Sequence, residues 1–291
     1  MTIPDPAAGG PLAAGDAEPA NAAQMRDGDS LTFIGTATTL LRIGGFTLLT
    51  DPNFLHRGQR AYLGKGLWSR RVTEPAIGVD EVPPLDGIVL SHLHGDHWDR
   101  VARAGLERSA PVVTTPPAAR RLRRYGFSTV GLDTWTDHVL HKSNERLRVV
   151  SLPAVHARGV LGALLPPVMG SLLEHCVDGA PRLRVYLSGD TLTGDHLDAV
   201  RAAFPDIDVA VVHLGGTRVL AHTVTMDALQ GVDFLRRVRP WSAIPVHYDD
   251  YKIFRSPLSD FLSESGRAGL SGLVRPVERG ETVRLVRPDL S

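Results

Sequence analysis

A cluster of histidine and aspartate residues follows a short apolar segment at residues 87–90. The cluster reads Ser91-His92-Leu93-His94-Gly95-Asp96-His97. The apolar segment predicts a buried strand, and the cluster then occupies the turn after it. Because side chains alternate along extended chain, His92 and His94 point to the same side. Divalent metal ions need such converging ligands, so this segment predicts a metal site.

The alternative interpretation is a histidine-rich surface turn whose rings lie in water and share no ligand. Clustered histidine and carboxylate side chains most often indicate coordination, and we therefore favour the metal site. Cys176 is the only cysteine in the chain, which excludes an intrachain disulfide and a thiolate cluster. The ligands must then be histidine and carboxylate.

Strand and helix patterns alternate after an opening run of strands, which predicts one α/β domain at residues 29–291. Residues 1–28 are rich in Ala, Pro and Gly and predict a flexible tail. Residues 54–84 predict long loops. The predicted strands are 31–35, 40–50 with a hairpin turn at Gly44-Gly45, 87–90, 147–152, 183–187, 209–212, 243–246 and 282–286, and the predicted helices are 117–125 and 225–238.

Charge and hydropathy narrow the classes of partner. The chain carries 32 basic and 32 acidic residues, so its overall field does not favour nucleic acid or an anionic membrane. No apolar run reaches the roughly 20 residues that a membrane span needs. We therefore expect a cytoplasmic protein that acts on a small-molecule substrate, with no nucleic-acid partner and no membrane span. The sequence leaves its oligomeric state open.

Five segments in this order resemble the metallo-β-lactamase superfamily. They are Thr50-Asp51-Pro52, the histidine cluster at residues 91–97, Pro153-Ala154-Val155-His156, Ser188-Gly189-Asp190-Thr191 and Ile244-Pro245-Val246-His247. The resemblance covers about residues 30–288. It looks closest to the branch that contains ascorbate-6-phosphate lactonase and the phospholipase D that hydrolyses N-acyl phosphatidylethanolamine.

The resemblance implies a four-layer αββα sandwich with two divalent metal ions at one edge. Zn²⁺ is expected, and the mixed ligands also suit Mn²⁺ and Fe²⁺. Asp96 and Asp190 would be the catalytic carboxylates, and Asp51 would order the histidine loop. The implied ligands are His92, His94 and His156 for one ion and Asp96, His97 and His247 for the other, with Asp190 as the bridge.

Taken alone, two of these residues have simpler interpretations. Asp190 is also placed to cap a helix that starts near Asp195, and His156 is also consistent with an ordinary loop histidine. Both follow apolar strands, as strand-end ligands do, and we favour the metal role for each. His213 and His222 flank Gly215-Gly216 and are candidates for substrate binding, although loop histidines are common.

The implied reaction is hydrolysis of a small ester, lactone or phosphodiester by hydroxide from metal-activated water. One alternative is a metal-binding interaction protein without turnover, and another is a metal-dependent nuclease. Arg57, Arg60, Lys65, Arg70 and Arg71 would clamp an anionic group or else form a solvated loop face.

The loop at residues 158–167 shows no regular apolar period. Leu161, Leu164 and Leu165 are interpreted either as a wall of the substrate pocket or as ordinary core contacts. The chain also departs from the branch in two places. Thr36 follows the first-strand glycine where relatives commonly carry histidine, and residues 248–251 replace a common Gly-Thr. Because of these two departures, we do not infer the substrate of this chain from the substrates of that branch.

Overall fold

A computed structural model describes residues 28–219 and 222–286 of the chain. Its helices are α1 Arg100–Gly105, α2 Pro116–Arg123, α3 Gly159–Leu164, α4 Asp195–Ala203, α5 Ala228–Val238 and α6 Leu258–Arg267. Its strands are β1 Ser30–Gly35, β2 Thr38–Ile43, β3 Phe46–Thr50, β4 Arg60–Tyr62, β5 Trp68–Arg70, β6 Gly87–Val89, β7 Val112–Thr114, β8 Thr129–Gly131, β9 Asp137–Lys142, β10 Glu145–Pro153, β11 Met169–Val177, β12 Ala180–Leu187, β13 Val209–His213, β14 Arg218–Val219, β15 His222–Thr223, β16 Ser242–Val246 and β17 Thr282–Arg284.

Seven strands form the first sheet, in the order β17-β1-β2-β3-β6-β7-β8. β2 and β3 are joined by the predicted hairpin, in which Ile43 pairs with Phe46 across the two glycines. β3, β6, β7 and β8 then run parallel. Alternation along β3 sends Leu48 into the core between the sheets and Leu49 into a second core under α1 and α2.

Six strands form the second sheet, in the order β16-β13-β12-β11-β10-β9. β9 to β12 pair antiparallel, whereas β12, β13 and β16 are parallel. β13 is buried at every position. Such a continuous apolar strand is expected where both faces of a sheet are covered.

The two sheets face each other and helices cover both outer faces. Phe33 and Leu41 of the first sheet share one buried cluster with Leu147 and Leu172 of the second. Phe234 of α5 and Phe261 of α6 belong to the same cluster. The predicted αββα layering is confirmed. Among the described residues, no helix is long and apolar enough to cross a membrane.

Two loop predictions were wrong. The segment at residues 54–84 contains the β4-β5 hairpin and a short 3₁₀ helix, Val79–Glu81. The loop at residues 158–167 contains α3. β4 and β5 each have one buried residue between two exposed ones, so neither contains an apolar run that the pattern could detect. Of the predicted tail at residues 1–28, only Gly28 lies within the described residues.

Candidate metal centre

The side chains implied as metal ligands meet at one edge of the sandwich. Strands β3, β6, β10, β12, β13 and β16 all end at this edge, so the residues that follow them converge although they are far apart in sequence. The seven residues are all buried: His92, His94, Asp96, His97, His156, Asp190 and His247.

Three histidines form the first ligand group. His92 Nε2 lies 2.9 Å from His94 Nδ1, and His156 Nε2 lies 3.3 Å from the same nitrogen. The three nitrogens therefore face one small volume. This is the group implied for the first ion, and the structure brings its members together.

Asp96, His97 and His247 form the second group, whose ligand atoms all lie within 4.8 Å of one another. His247 Nε2 is 3.5 Å from Asp96 Oδ2. Asp190 lies between the two groups, because its Oδ2 is 3.2 Å from His97 Nε2 and 3.9 Å from His92 Nε2. Its position is consistent with the bridge that the resemblance implies.

Hydrogen bonds at the opposite ring nitrogens orient three of the imidazoles. His156 Nδ1 lies 2.9 Å from the Val224 carbonyl and His247 Nδ1 lies 3.0 Å from the Leu214 carbonyl. A carbonyl only accepts, so each Nδ1 carries a proton, and in the neutral ring each Nε2 has a free lone pair. The Ser91 hydroxyl lies 3.0 Å from His92 Nδ1 and leaves its Nε2 facing the cluster. These contacts supply the outer support that metal-binding histidines need.

Asp51 supports the histidine loop from behind. Its Oδ1 accepts the Ser91 N–H at 2.7 Å, and its Oδ2 lies 3.2 Å from His97 Nδ1. The same Oδ2 lies 3.3 Å from His213 Nε2. Burial raises the pKa of Asp51, but His97 and His213 outweigh burial and hold the pKa at about 2. Asp51 is therefore an ionised acceptor at neutral pH.

Burial controls the charge of the first histidine group. It lowers the pKa of His92 well below its usual range and lowers the pKa of His94 to about 4. Burial also lowers the pKa of His97, yet the carboxylates of Asp190 and Asp51 outweigh it and raise that pKa well above the ordinary value. The neutral imidazole is the form that binds metal, so the first group is already in its ligating state at neutral pH.

Several buried polar atoms of the cluster form no hydrogen bond with any described residue. Buried polar groups are nearly always satisfied, and a set of them aimed at one volume needs a common partner. The unsatisfied atoms are Asp96 Oδ1, His97 Nε2, Asp190 Oδ1 and His247 Nε2. Imidazole and carboxylate donors of this kind fit one or more divalent metal ions.

Glycines allow two of the ligand loops to pack tightly. A Cβ at Gly95 would lie 2.6 Å from the Tyr62 carbonyl oxygen, to which the Gly95 N–H donates at 2.9 Å. Gly189 has φ of 61° and a Cβ there would lie 2.7 Å from the Met169 carbonyl oxygen. Larger residues would push the histidine loop and Asp190 out of position.

The remaining predicted residues have different surroundings. His213 is 2% exposed and lies behind Asp51 with its Nδ1 3.1 Å from the Ser188 hydroxyl. His222 lies on β15, is exposed and is not part of the cluster. Asp190 does not cap a helix, since Gly194 holds the N-cap position of α4.

Arg71 does not form a surface anion clamp. Its side chain is 0% exposed, and its Nη2 lies 3.3 Å from Asp250 Oδ1. Its Nη1 donates to Asn53 Oδ1 at 2.6 Å. The Thr36 N–H donates to Asp250 Oδ2 at 2.7 Å, and the Thr36 carbonyl accepts the His247 N–H at 2.7 Å. Thr36, which stands where relatives commonly carry histidine, is thus part of a buried network that holds the backbone of His247 in place.

A cavity of about 450 Å³ opens beside His94, and Leu164 and Leu165 line it. Leu164 is 53% exposed, which excludes the core interpretation for this residue. The side chain of Leu161 lies outside what the structure describes. The sequence did not predict this cavity, because its walls come from elements that are separated along the chain: β4, β5, α1, α2 and α3.

Comparison with known proteins finds a match to one protein family. The family model for the beta-lactamase superfamily domain matches residues 47–248 of this chain. A metal-dependent hydrolase of Exiguobacterium is 26% identical over 248 residues, which is 85% of this chain and 97% of the relative.

Two solved structures share the fold. One is the isothiocyanate hydrolase from Delia radicum gut bacteria, at a TM-score of 0.74 and 19% identity. The other is a possible metal-dependent hydrolase from Veillonella parvula, at a TM-score of 0.74 and 22% identity. Each alignment covers 88% of this chain and 99% of the similar chain.

Proposed function

The chain belongs to the metallo-β-lactamase superfamily, and from this membership we propose that its buried cluster holds two divalent ions and hydrolyses a small ester, lactone or phosphodiester. The observation that carries the proposal is the pair of converging ligand groups with Asp190 between them. Seven ligands are too many for one tetrahedral site that keeps an open position.

The proposed ligand assignment follows the two groups. His92, His94 and His156 hold one ion, Asp96, His97 and His247 hold the other, and Asp190 contacts both. Zn²⁺ is the metal that we propose, and Mn²⁺ and Fe²⁺ share the same preference for imidazole and carboxylate. When bound, such ions supply hydroxide at neutral pH and stabilise negative charge on the reacting group.

The chain's own residues orient the ligands and limit access of water. Asp51 holds the His97 ring through Nδ1, so that Nε2 faces Asp190. His213 in turn contacts Asp51, and we propose that it positions this carboxylate without touching substrate. The ligand group is open to substrate on the side of His94, where the cavity begins.

The proposed function is tested by removing and restoring metal. Chelator-treated protein should hydrolyse neither bis(p-nitrophenyl) phosphate nor a panel of lactones and p-nitrophenyl esters, and added Zn²⁺, Mn²⁺ or Fe²⁺ should restore turnover of at least one class. His156→Ala should prevent restoration. The control His141→Ala removes an exposed histidine of β9 and should behave as the wild type.

Two outcomes of this experiment would favour other functions. A protein that binds metal fully and turns over no substrate would be a metal-binding interaction protein. Turnover confined to nucleic-acid phosphodiesters would indicate a nuclease. Hydrolysis that persists in the metal-free protein would contradict the proposal itself.

A further inference from the structure

The cavity beside His94 combines an apolar wall with a basic rim. Leu63, Leu93, Trp98 and Leu165 line its interior, while Tyr62 and Trp68 lie at its mouth. The Tyr62 and Trp68 rings contact each other with centroids 4.9 Å apart, and both side chains are about half exposed. Its volume falls within the range of about 300–1,000 Å³ that is usual for small-molecule sites.

Five basic side chains also line this cavity, and all are exposed: Arg60, Lys65, Arg100, Arg103 and Arg121. No carboxylate of the described residues forms an ion pair with any of them. Arg103 lies over the Tyr125 ring at 4.8 Å, a contact that leaves its guanidinium charge uncompensated.

Among the described residues that line the cavity, Asp99 is the only carboxylate, and it does not neutralise the rim. It is buried, and its Oδ2 accepts the Phe54 and Leu55 N–H groups at 2.6 and 2.7 Å. Its Oδ1 accepts the Ala102 N–H at the start of α1. The chain as a whole has zero net charge, so the positive potential here is local.

We propose that this cavity selects substrates with an apolar body and an anionic group. The inference rests on the proposed hydrolytic function. The apolar body packs against the leucines and aromatic rings, where burial stabilises the complex. The anionic group faces Arg100 and Arg103, whose guanidinium groups bind carboxylate or phosphate oxygens in pairs. The scissile bond then lies toward His94 and the metal centre.

A matched pair of esters tests the selection in the metal-loaded protein. p-Nitrophenyl hexanoate and mono-p-nitrophenyl adipate share the leaving group and chain length, and differ only in a terminal methyl or carboxylate. We expect kcat/KM to be about tenfold higher for the adipate, as a charge-assisted contact would give. The double variant Arg100→Gln/Arg103→Gln should lose this preference, with kcat/KM for the adipate falling to about the value for the hexanoate.

Two controls separate the cavity from general surface effects. Arg123→Gln/Arg124→Gln removes the same charge from neighbouring exposed positions that do not line the cavity, and should keep the preference for the adipate. Trp68→Ser should raise KM for both esters. Trp241→Ser changes a similarly exposed tryptophan away from the cavity and should leave both KM values unchanged.

Binding to metal-free protein distinguishes failure of this inference from failure of the proposed hydrolysis. We expect 4-phenylbutyrate to bind about tenfold more tightly than 4-phenylbutanamide, measured by isothermal titration calorimetry. Selective binding by a protein that, when loaded with metal, turns over no ester, lactone or phosphodiester would contradict the hydrolase proposal and support the cavity. Equal binding of acid and amide would overturn the cavity proposal, whether or not the loaded protein hydrolyses esters.

Discussion

Asp190 and Asp51 are both buried carboxylates at the edge of the sandwich, but they have different neighbours. Asp190 lies between the two ligand groups, whereas Asp51 contacts His97, His213 and the Ser91 N–H from behind. We expect Asp190→Ala to abolish turnover and to lower metal content. Asp51→Ala should reduce turnover about 10- to 100-fold, as loss of an outer contact to a ligand does. Steady-state kinetics with metal analysis measures both effects.

The control for this pair is Asp198→Ala on α4, which removes a half-exposed carboxylate and should leave kinetics unchanged. Circular dichroism would show that both site variants remain folded. Near-normal turnover and full metal content in Asp190→Ala would show that the bridge assignment is wrong.

At the scale of single residues, the side chains implied as ligands converge because each lies in a short segment directly after an apolar strand, and their role as metal ligands stays a prediction. His92, His94, Asp96 and His97 are adjacent in the chain, and their convergence needs only local geometry. The network of Arg71, Asp250 and Thr36 was not predictable. It joins positions that are as far as 214 residues apart, and no local pattern carries that contact.

Among the elements, α3 contributes directly to the cavity. Leu164 at its end is 53% exposed and lines the wall, so its side chain contributes little to the core. We expect Leu164→Ser to raise KM or change ester preference while the free energy of unfolding changes by about 0.5 kcal/mol or less. Urea denaturation and steady-state kinetics measure the two quantities.

A buried leucine provides the comparison for this variant. Leu122 on α2 is 0% exposed, and Leu122→Ser should lower the free energy of unfolding by about 2–5 kcal/mol. If Leu164→Ser were destabilised to the same degree with unchanged kinetics, its role in the pocket wall would be refuted.

Elements with an apolar run or a clear helical stripe were predicted, including the three-residue β6, whereas β4, β5, α3 and the ten-residue α6 were not. The predicted helix at residues 225–238 is confirmed as α5, which begins after its N-cap residue Asp227. The strand pattern at residues 147–152 corresponds to β10. β4 and β5 were missed because each has one buried residue between two exposed ones and so contains no apolar run. Together with α3 they form the cavity wall with α1 and α2, so no single segment of the sequence predicted the cavity.

For the whole molecule, a buried ion pair links the segment after the β4-β5 hairpin to the segment after β16, near the metal centre. Burial raises the pKa of Asp250, but Arg71 and Arg279 outweigh burial and lower it below the ordinary 3.8. A carboxyl whose pKa falls on folding adds stability above its ordinary pKa, and this stability is lost as pH falls through the lower folded value. Arg71 and Asp250 are both fully buried, so the pair is not screened by solvent.

We therefore expect Asp250→Asn to lower the free energy of unfolding by about 3 kcal/mol or more at neutral pH, because it leaves the buried Arg71 charge without its partner. The difference from wild type should narrow as the pH falls below about 4. Urea unfolding of metal-free protein across this pH range measures it. Asp198→Asn, at a half-exposed pair, should change stability by about 1 kcal/mol or less. A difference that is independent of pH would contradict this assignment.

The proposed metal centre depends on the fold of the whole described chain. Strands from both sheets must be in place before the seven proposed ligands meet, so metal stoichiometry reports on the site and the fold together. The most direct measurement is elemental analysis of the purified, metal-supplemented protein. We predict about two divalent ions per chain. A reproducible value near one would remove the second ion, and a value near zero would contradict the account of this site.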